Sequence, residues 1–238
     1  MKGIGFACLL ILLTPVMLHA RPLVADLSQY RVEIDSSFNG TRLLLFGARN
    51  DIGDIVVVVR GPERSFVVRK KDRIAGIWVN RAEQSFGHVP TYYALASSKP
   101  FAAMRDTALF APLRIGLKET VDAGSMHADF ADALIHWEQS QHLYSDTVQK
   151  VSFMGESLFK LVIYFPDNIP RGDYSADIYL FNDGQLTSVQ SIPIHVEKTG
   201  FDAFVYDFAH AHSVLYGLFA VLLALGIGWS AHSLMKRI

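Results

Sequence analysis

Cysteine is all but missing from this 238-residue chain: the single thiol is Cys8. It falls inside an apolar N-terminal stretch, and its flanks do not make a lipoprotein cleavage site. If that stretch is removed, no thiol remains. A disulfide, a thiolate nucleophile and a Cys-based metal site are then all excluded. Charge is missing from the C-terminal end: Ser213 to Met235 contains no Asp, Glu, Lys or Arg. A basic surplus is missing as well. Lys2, Lys236 and Arg237 account for three of the 22 basic residues. Residues 21–212 therefore hold 19 basic residues against all 23 acidic ones, a formal charge of −4. That balance excludes the basic face of a nucleic-acid binder. It also argues against docking onto anionic lipid by charge alone.

Catalytic signatures are missing in turn. There is no Gly-x-Ser-x-Gly, since Gly155-Glu156-Ser157 lacks the second glycine. There is no glycine-rich phosphate loop; Gly47, Gly53 and Gly61 sit in turns between strands. No His-x-x-x-His pair suits a zinc site. His136 and His142 are six apart, about 240° around a helix, and do not point together. His210 and His212 read as polar residues at the headgroup boundary, and His232 as one that snorkels to water. Asp129 and Asp132 are spaced as on a solvated helix face. The run Arg69-Lys70-Lys71-Asp72-Arg73 reads as a solvated loop at a strand end. No catalytic, cofactor-binding or metal-ligating residue emerges, and the chain reads as a non-enzyme.

What is present is a membrane signature at each end. Met1-Lys2, an apolar core over Ile4–Leu18 and Ala20 before Arg21 form the pattern of a secretory signal peptide over residues 1–20. At ~1.5 Å per residue, ~20 residues of helix cross a ~30 Å hydrocarbon core, so 213–235 is long enough for a transmembrane helix. Lys236 and Arg237 follow it, as the positive-inside rule expects of a cytoplasmic end. The expected placement is the inner membrane, with a single pass, the bulk of the chain in the periplasm and 236–238 as a cytoplasmic tail. Tyr216 and Trp229 lie near the two ends of the span as interfacial anchors. Ala220, Ala224 and Gly228 recur every four residues, and Ser213 and Gly217 form a second small pair. Such spacing permits close approach of another membrane helix, by self-association or with a partner.

Between the ends, residues 30–38 alternate in polarity and predict a strand. Asn39-Gly40 then predicts a hairpin turn into Leu43–Gly47. Asn39-Gly40-Thr41 also fits the N-glycosylation pattern. Strands follow at 55–59, 65–69, 76–79 and 90–95, with the ~10-residue spacing of an antiparallel sandwich. Pro100–Phe110 reads as a helix. A second helix follows over 125–148, N-capped by Ser125, ending near Tyr144, with an apolar stripe of Phe130, Ala133, Leu134 and Trp137. Strands return over 158–165 and 174–180. Asn182-Asp183-Gly184 turns into a last strand over 186–196, marked by Pro193 as an edge or bulged strand. The predicted fold is mainly β with a helical insertion, an immunoglobulin-like antiparallel sandwich of one domain or two lobes, plus the C-terminal helix. The expected segments are β-rich over 21–98, helical over 99–150, β-rich over 151–200 and juxtamembrane over 201–212.

Several phrases in fixed order carry a family resemblance. They are Phe38-Asn-Gly40, Leu45-Phe-Gly47, Val57-Val-Val-Arg-Gly-Pro62, Gly76-Ile-Trp-Val-Asn80, Pro170-Arg-Gly-Asp-Tyr174 and Tyr216-Gly217. Together the chain resembles an uncharacterised family of alphaproteobacterial transmembrane proteins. The family has no established activity, so the resemblance implies no catalytic residue. It implies a Gram-negative source, a periplasmic domain and a neighbouring sulfite-exporter-type permease as partner. The expected function is a membrane-tethered, non-enzymatic binding or accessory subunit. The alternative is an exported small-ligand or metal-binding module, or an enzyme, using the helical insertion.

Overall fold

The run Ile55-Val56-Val57-Val58-Val59 is β-branched throughout, which suits a strand buried on both faces. All five side chains are buried. The computed structural model describes residues 22–74, 76–104, 108–121 and 128–235. The N-terminal half contains β1 (Leu23–Leu27), β2 (Arg31–Ile34), β3 (Thr41–Arg49), β4 (Asp54–Arg60), β5 (Glu63–Ile74), β6 (Ile77–Pro90) and β7 (Tyr93–Ser97). Three helices follow: α1 (Phe101–Met104), α2 (Leu117–Val121) and α3 (Ala128–Ser140). Then come β8 (Gln149–Lys150), β9 (Ser152–Met154), β10 (Leu158–Phe165), β11 (Gly172–Asn182) and β12 (Gln185–Lys198). The chain closes with α4 (Phe201–Ala211) and α5 (Ser213–Met235). The expected signal peptide, Ser125 and the tail after Met235 lie outside the described residues.

Two sheets face each other. One has four strands in the order β1-β3-β10-β9, the other six in the order β2-β12-β11-β4-β7-β8. Alternate residues of β1, β3 and β10 (Leu23, Ala25, Leu43, Leu45, Phe159, Ile163) meet Ile55, Val57, Val59, Ala176, Ile178 and Ile194 from the larger sheet in a single core. The other face of the larger sheet carries a second core. There Val56, Val58, Tyr179 and Phe181 pack against α3, Met104, Phe110, Ile115 and Val121. The fold is thus mainly β, with largely antiparallel sheets (β2–β12 and β7–β8 are the parallel pairs) and one apolar C-terminal helix, and β4 belongs to both cores.

Polar ties hold the helical segment to the sheet. Arg60 Nη1 meets Asp177 Oδ2 at 2.6 Å. Its Nη2 donates to the carbonyls of Leu113 and Arg114 at 2.8 and 3.0 Å. Tyr93 Oη accepts from Gly116 N at 2.7 Å, and Tyr144 Oη donates to the Pro90 carbonyl at 2.7 Å. Arg60 and Tyr93 thereby satisfy backbone groups of the segment between the helices, which no strand ladder reaches.

Several expectations are corrected. Asn39-Gly40 is no hairpin turn: β2 pairs in parallel with β12, whereas β3 pairs with β1 and β10. The segment crosses from one sheet to the other. Gly40 is required there because φ is +87° and a Cβ would lie 2.7 Å from the Phe165 carbonyl oxygen. The two short strands expected at 65–69 and 76–79 are parts of one long antiparallel ribbon, β5–β6, which runs from Glu63↔Pro90 to Ile74↔Ile77. The basic run Arg69–Arg73 is therefore ladder, not loop. Two of its members pair across the ribbon, Arg69 with Glu83 and Asp72 with Arg81. Strand β7 begins at Tyr93, later than expected. The helix expected over 100–110 is a single turn, α1, and α2 was not anticipated.

Helix α3 ends at Ser140 and buries Ala131, Leu134, Ile135 and Glu138. Of the expected stripe, Leu134 is buried and Phe130 packs partly buried on the same core, whereas Ala133 and Trp137 are exposed, Trp137 by 60%. The ribbon lies over that flank, where Phe66 and Val67 line a groove with Ala133 and Trp137. A polar side chain thus takes the inward position. The hairpin at Asp183-Gly184 forms as expected, with φ of 47° and 77°. Pro193 is also explained: β2 pairs with β12 only from His195 onward, so Pro193 sits where that flank is an edge.

Glu138 is 4% exposed, and burial raises its carboxyl above the ordinary value of 4.5. A raised folded value means that the native state holds its proton to higher pH than the unfolded chain. Stability contributed by the protonated form is present below the ordinary carboxylate range and is lost as pH rises through the folded value. Glu138→Gln is expected to raise Tm at neutral pH by a few degrees and to change it little at pH 4. At ~2–4 °C per kcal/mol for a domain of this size, thermal melts at the two pH values resolve the difference. Equal shifts at both would refute it.

Candidate membrane anchor and its junction with the sandwich

Strand β12 delivers the chain directly to the anchor. Thr199 N donates to the Ile34 carbonyl at 2.9 Å, and Gly200 opens α4. Aromatic residues four apart share one helix face. Tyr206 and His210 stack at 4.0 Å between ring centroids, and His210 Nδ1 lies 2.9 Å from the Tyr206 carbonyl. The Arg171 guanidinium sits 5.0 Å over the Tyr206 ring. This cation–π contact ties α4 to the loop before β11. In the sequence Arg171 stands out only as part of the Pro170–Tyr174 phrase, and Tyr206 not at all. The i, i+4 spacing of Tyr206–His210 and Phe208–His212 was the available signal.

A single residue separates α4 from α5. His212 has φ −133° and ψ 52°, outside the helical region, and its N–H donates to the Phe208 carbonyl at 2.9 Å. Tyr216 N then donates to the His212 carbonyl at 2.9 Å. The Phe208 ring meets both His212 and Tyr216, at 5.8 and 6.5 Å. Val205, Phe208, Leu215, Tyr216 and Phe219 line an apolar hollow at this elbow.

Helix α5 has 23 residues, about 34 Å at 1.5 Å per residue. Its Ser213–Ser230 portion has a mean hydropathy of 1.8 and no buried residue. A long apolar helix that, among the described residues, meets its own chain only around Tyr216 is suited to lipid. Ala220, Ala224 and Gly228 are exposed on it, drifting about 40° per four-residue step, so they form one stripe. A Cβ added at Gly217 or Gly228 would meet nothing within 4 Å. Tyr216 packs by Phe208, and Trp229 is 76% exposed. The two lie about 20 Å apart along the axis. Lys236 and Arg237 fall outside the described residues.

A match to a family model joins this geometry. The family described as "Putative transmembrane protein (Alph_Pro_TM)" matches residues 22–237. The chain belongs to this family. No curated protein matches it. Membership accords with the one candidate membrane helix among the described residues, and this family member is a membrane protein.

The remaining sequence candidates are dispersed over the family member. His88 Nδ1 lies 3.1 Å from Glu63, and His195 Nδ1 2.7 Å from Asp173. His136, His142 and His232 are exposed. Asp132 pairs with Lys118 at 3.4 Å. Gly155 forms the turn between β9 and β10, and the Glu156 carbonyl accepts from Arg49 Nε. Among the described residues, no three His, Cys, Asp or Glu side chains assemble as metal ligands.

Because Gly228 and Ala224 face open space, larger side chains there leave the chain's own packing intact. Ala224→Ile with Gly228→Ile is expected to preserve membrane insertion and to lower helix pairing or partner capture in membranes. An unchanged two-helix association signal would rule out the stripe as a pairing face.

Proposed function

We propose that this protein is a membrane-tethered, non-enzymatic binding or accessory subunit, with its β-sandwich in the periplasm and its C-terminus in the cytoplasm. The observation that carries the reading is the join between sandwich and span. Strand β12, α4 and α5 follow one another with one or two residues between them. The Arg171–Tyr206 contact adds a further tie, so the sandwich is held close to the bilayer rather than on a long leash. The orientation rests on the apolar N-terminal segment and on Lys236 and Arg237 beyond the span. The span contains no Asp, Glu, Lys or Arg, so a transport role falls to the partner. The family resemblance supports a multi-pass permease of the sulfite-exporter type in that role.

Two measurements test the reading. Ile52, 86% exposed in the turn before β4, is replaced by Cys in a chain whose natural cysteine is Cys8 alone. A membrane-impermeant maleimide is expected to label it in spheroplasts; labelling only after lysis would reverse the orientation. Crosslinked full-length protein, purified from native membranes, is expected to bring down a multi-pass membrane protein. Loss of that capture when α5 is replaced by an unrelated apolar span supports the tether-as-contact reading. Recovery of no membrane protein overturns the accessory role.

A further inference from the structure

The two sheets differ on their outer faces. That of the six-stranded sheet is covered by α3, by Met104, Phe110, Ile115 and Val121, and by the ribbon. The outer face of the four-stranded sheet is bare. Val24, Leu44, Phe46, Leu158, Val162 and Tyr164 all point out from it, each 39–54% exposed. Among the described residues nothing packs over them. Together they amount to several hundred Å² of apolar surface. Patches of ~300–600 Å² are the largest on typical monomers and are often functional.

The register arranges this face in rows. Val24 pairs with Ala48, which pairs with Leu158. One step along, Asp26 pairs with Phe46, which pairs with Lys160. The next row holds Leu44 beside Val162. An acid and a base thus flank Phe46 at equal distances, one strand to either side of β3. Asp26 is ionised at neutral pH, because Tyr30 Oη and Leu27 N donate to it and hold its carboxyl below the ordinary value. Lys160 makes no ion pair among the described residues.

We propose that the protein pairs with a second copy of itself through this face, about a two-fold axis running along β3. That operation sets Asp26 of each copy opposite Lys160 of the other. It also sets Val24 opposite Leu158, and Phe46 and Leu44 against their own counterparts. Arg42, at the start of β3, meets its own counterpart only at the rim, where water and salt screen the two charges. The charge pattern is what selects a second copy as the occupant: the face is complementary to itself, as an isologous interface requires. The same axis keeps both β12 C-termini, and so both membrane anchors, on one side, as two chains in a single bilayer need. Sheet-on-sheet packing at ~10 Å separation is the ordinary way for such faces to be buried. The proposal does not depend on the accessory role or on the α5 stripe.

The test uses full-length protein in membranes. Phe46→Cys is treated with a short bismaleimide, with Ile52→Cys, off the face, as control. Phe46→Cys is expected to give a covalent dimer and Ile52→Cys none. Asp26→Lys and Lys160→Asp are each expected to cut the dimer fraction, read with an amine-independent crosslink, by about tenfold. The double exchange is expected to restore it, since both charges then meet their opposites again. Phe46→Glu is expected to give monomer with an unchanged circular-dichroism spectrum and a melt that no longer depends on protein concentration, its side chain being partly exposed. A dimer indifferent to Phe46→Glu, single exchanges that are not rescued by the double, or crosslinking of Phe46→Cys to a different protein or to none would each overturn the proposal. Capture of the membrane partner is scored separately and stands or falls by itself.

Discussion

The double burial of β4 is the constraint on which the rest of the domain depends. Ile55, Val57 and Val59 complete the core between the sheets, while Val56 and Val58 anchor the core under the helices. Such a strand is apolar on both sides, so its own pattern does not set its register: a slip of one residue exchanges one valine for another. The charged ends supply what the pattern cannot. Asp54 meets Lys99 at 2.8 Å, and Arg60 meets Asp177 at 2.6 Å. Arg60 is also the residue that grips the carbonyls of Leu113 and Arg114. The same half-buried guanidinium therefore pins the central strand and docks the helical segment onto it.

That organisation leaves the molecule lopsided. The larger sheet spends both faces on packing, one against the smaller sheet and one against helices and ribbon. The smaller sheet spends one. Its outer face alternates cleanly with the buried residues of β1 and β10, as an antiparallel sheet with one free side does. The free side here is apolar where water would favour polar residues. The anchor repeats the theme, since α5 offers its whole circumference to lipid or to another helix. Both surfaces belong to a protein that is completed by its surroundings, the bilayer for the helix and a neighbour for the sheet.

Legibility tracked the locality of the physics. Strand β10 and the Asp183-Gly184 hairpin were plain, because alternation and turn chemistry act over a few residues. The span was plainer still, since length and lack of charge suffice. Asn39-Gly40 misled because the same positive-φ preference that makes a hairpin also serves a crossover between sheets. The ribbon reads as two short strands because charged residues, Lys70–Arg73 on one side and Arg81 and Glu83 on the other, break its apolar pattern toward the tip, where neither core reaches. The inward face of α3 was misplaced because Trp137 is more apolar than Glu138, yet the ribbon lies over the Trp137 flank and Glu138 faces inward.

The sequence by itself determined that this is a mainly β chain with an uncharged, membrane-length C-terminal helix, and the family resemblance agreed with the matched residues 22–237. Backbone preference and transfer of apolar side chains out of water are properties of the local segment, so they could be read without a fold. Which strands share a sheet, which face of each sheet is covered, and how Arg171 reaches Tyr206 were decided only in three dimensions. Many of those relations join residues distant in sequence, as the 35 positions from Arg171 to Tyr206 illustrate. Their energies come from packing partners that no local pattern names.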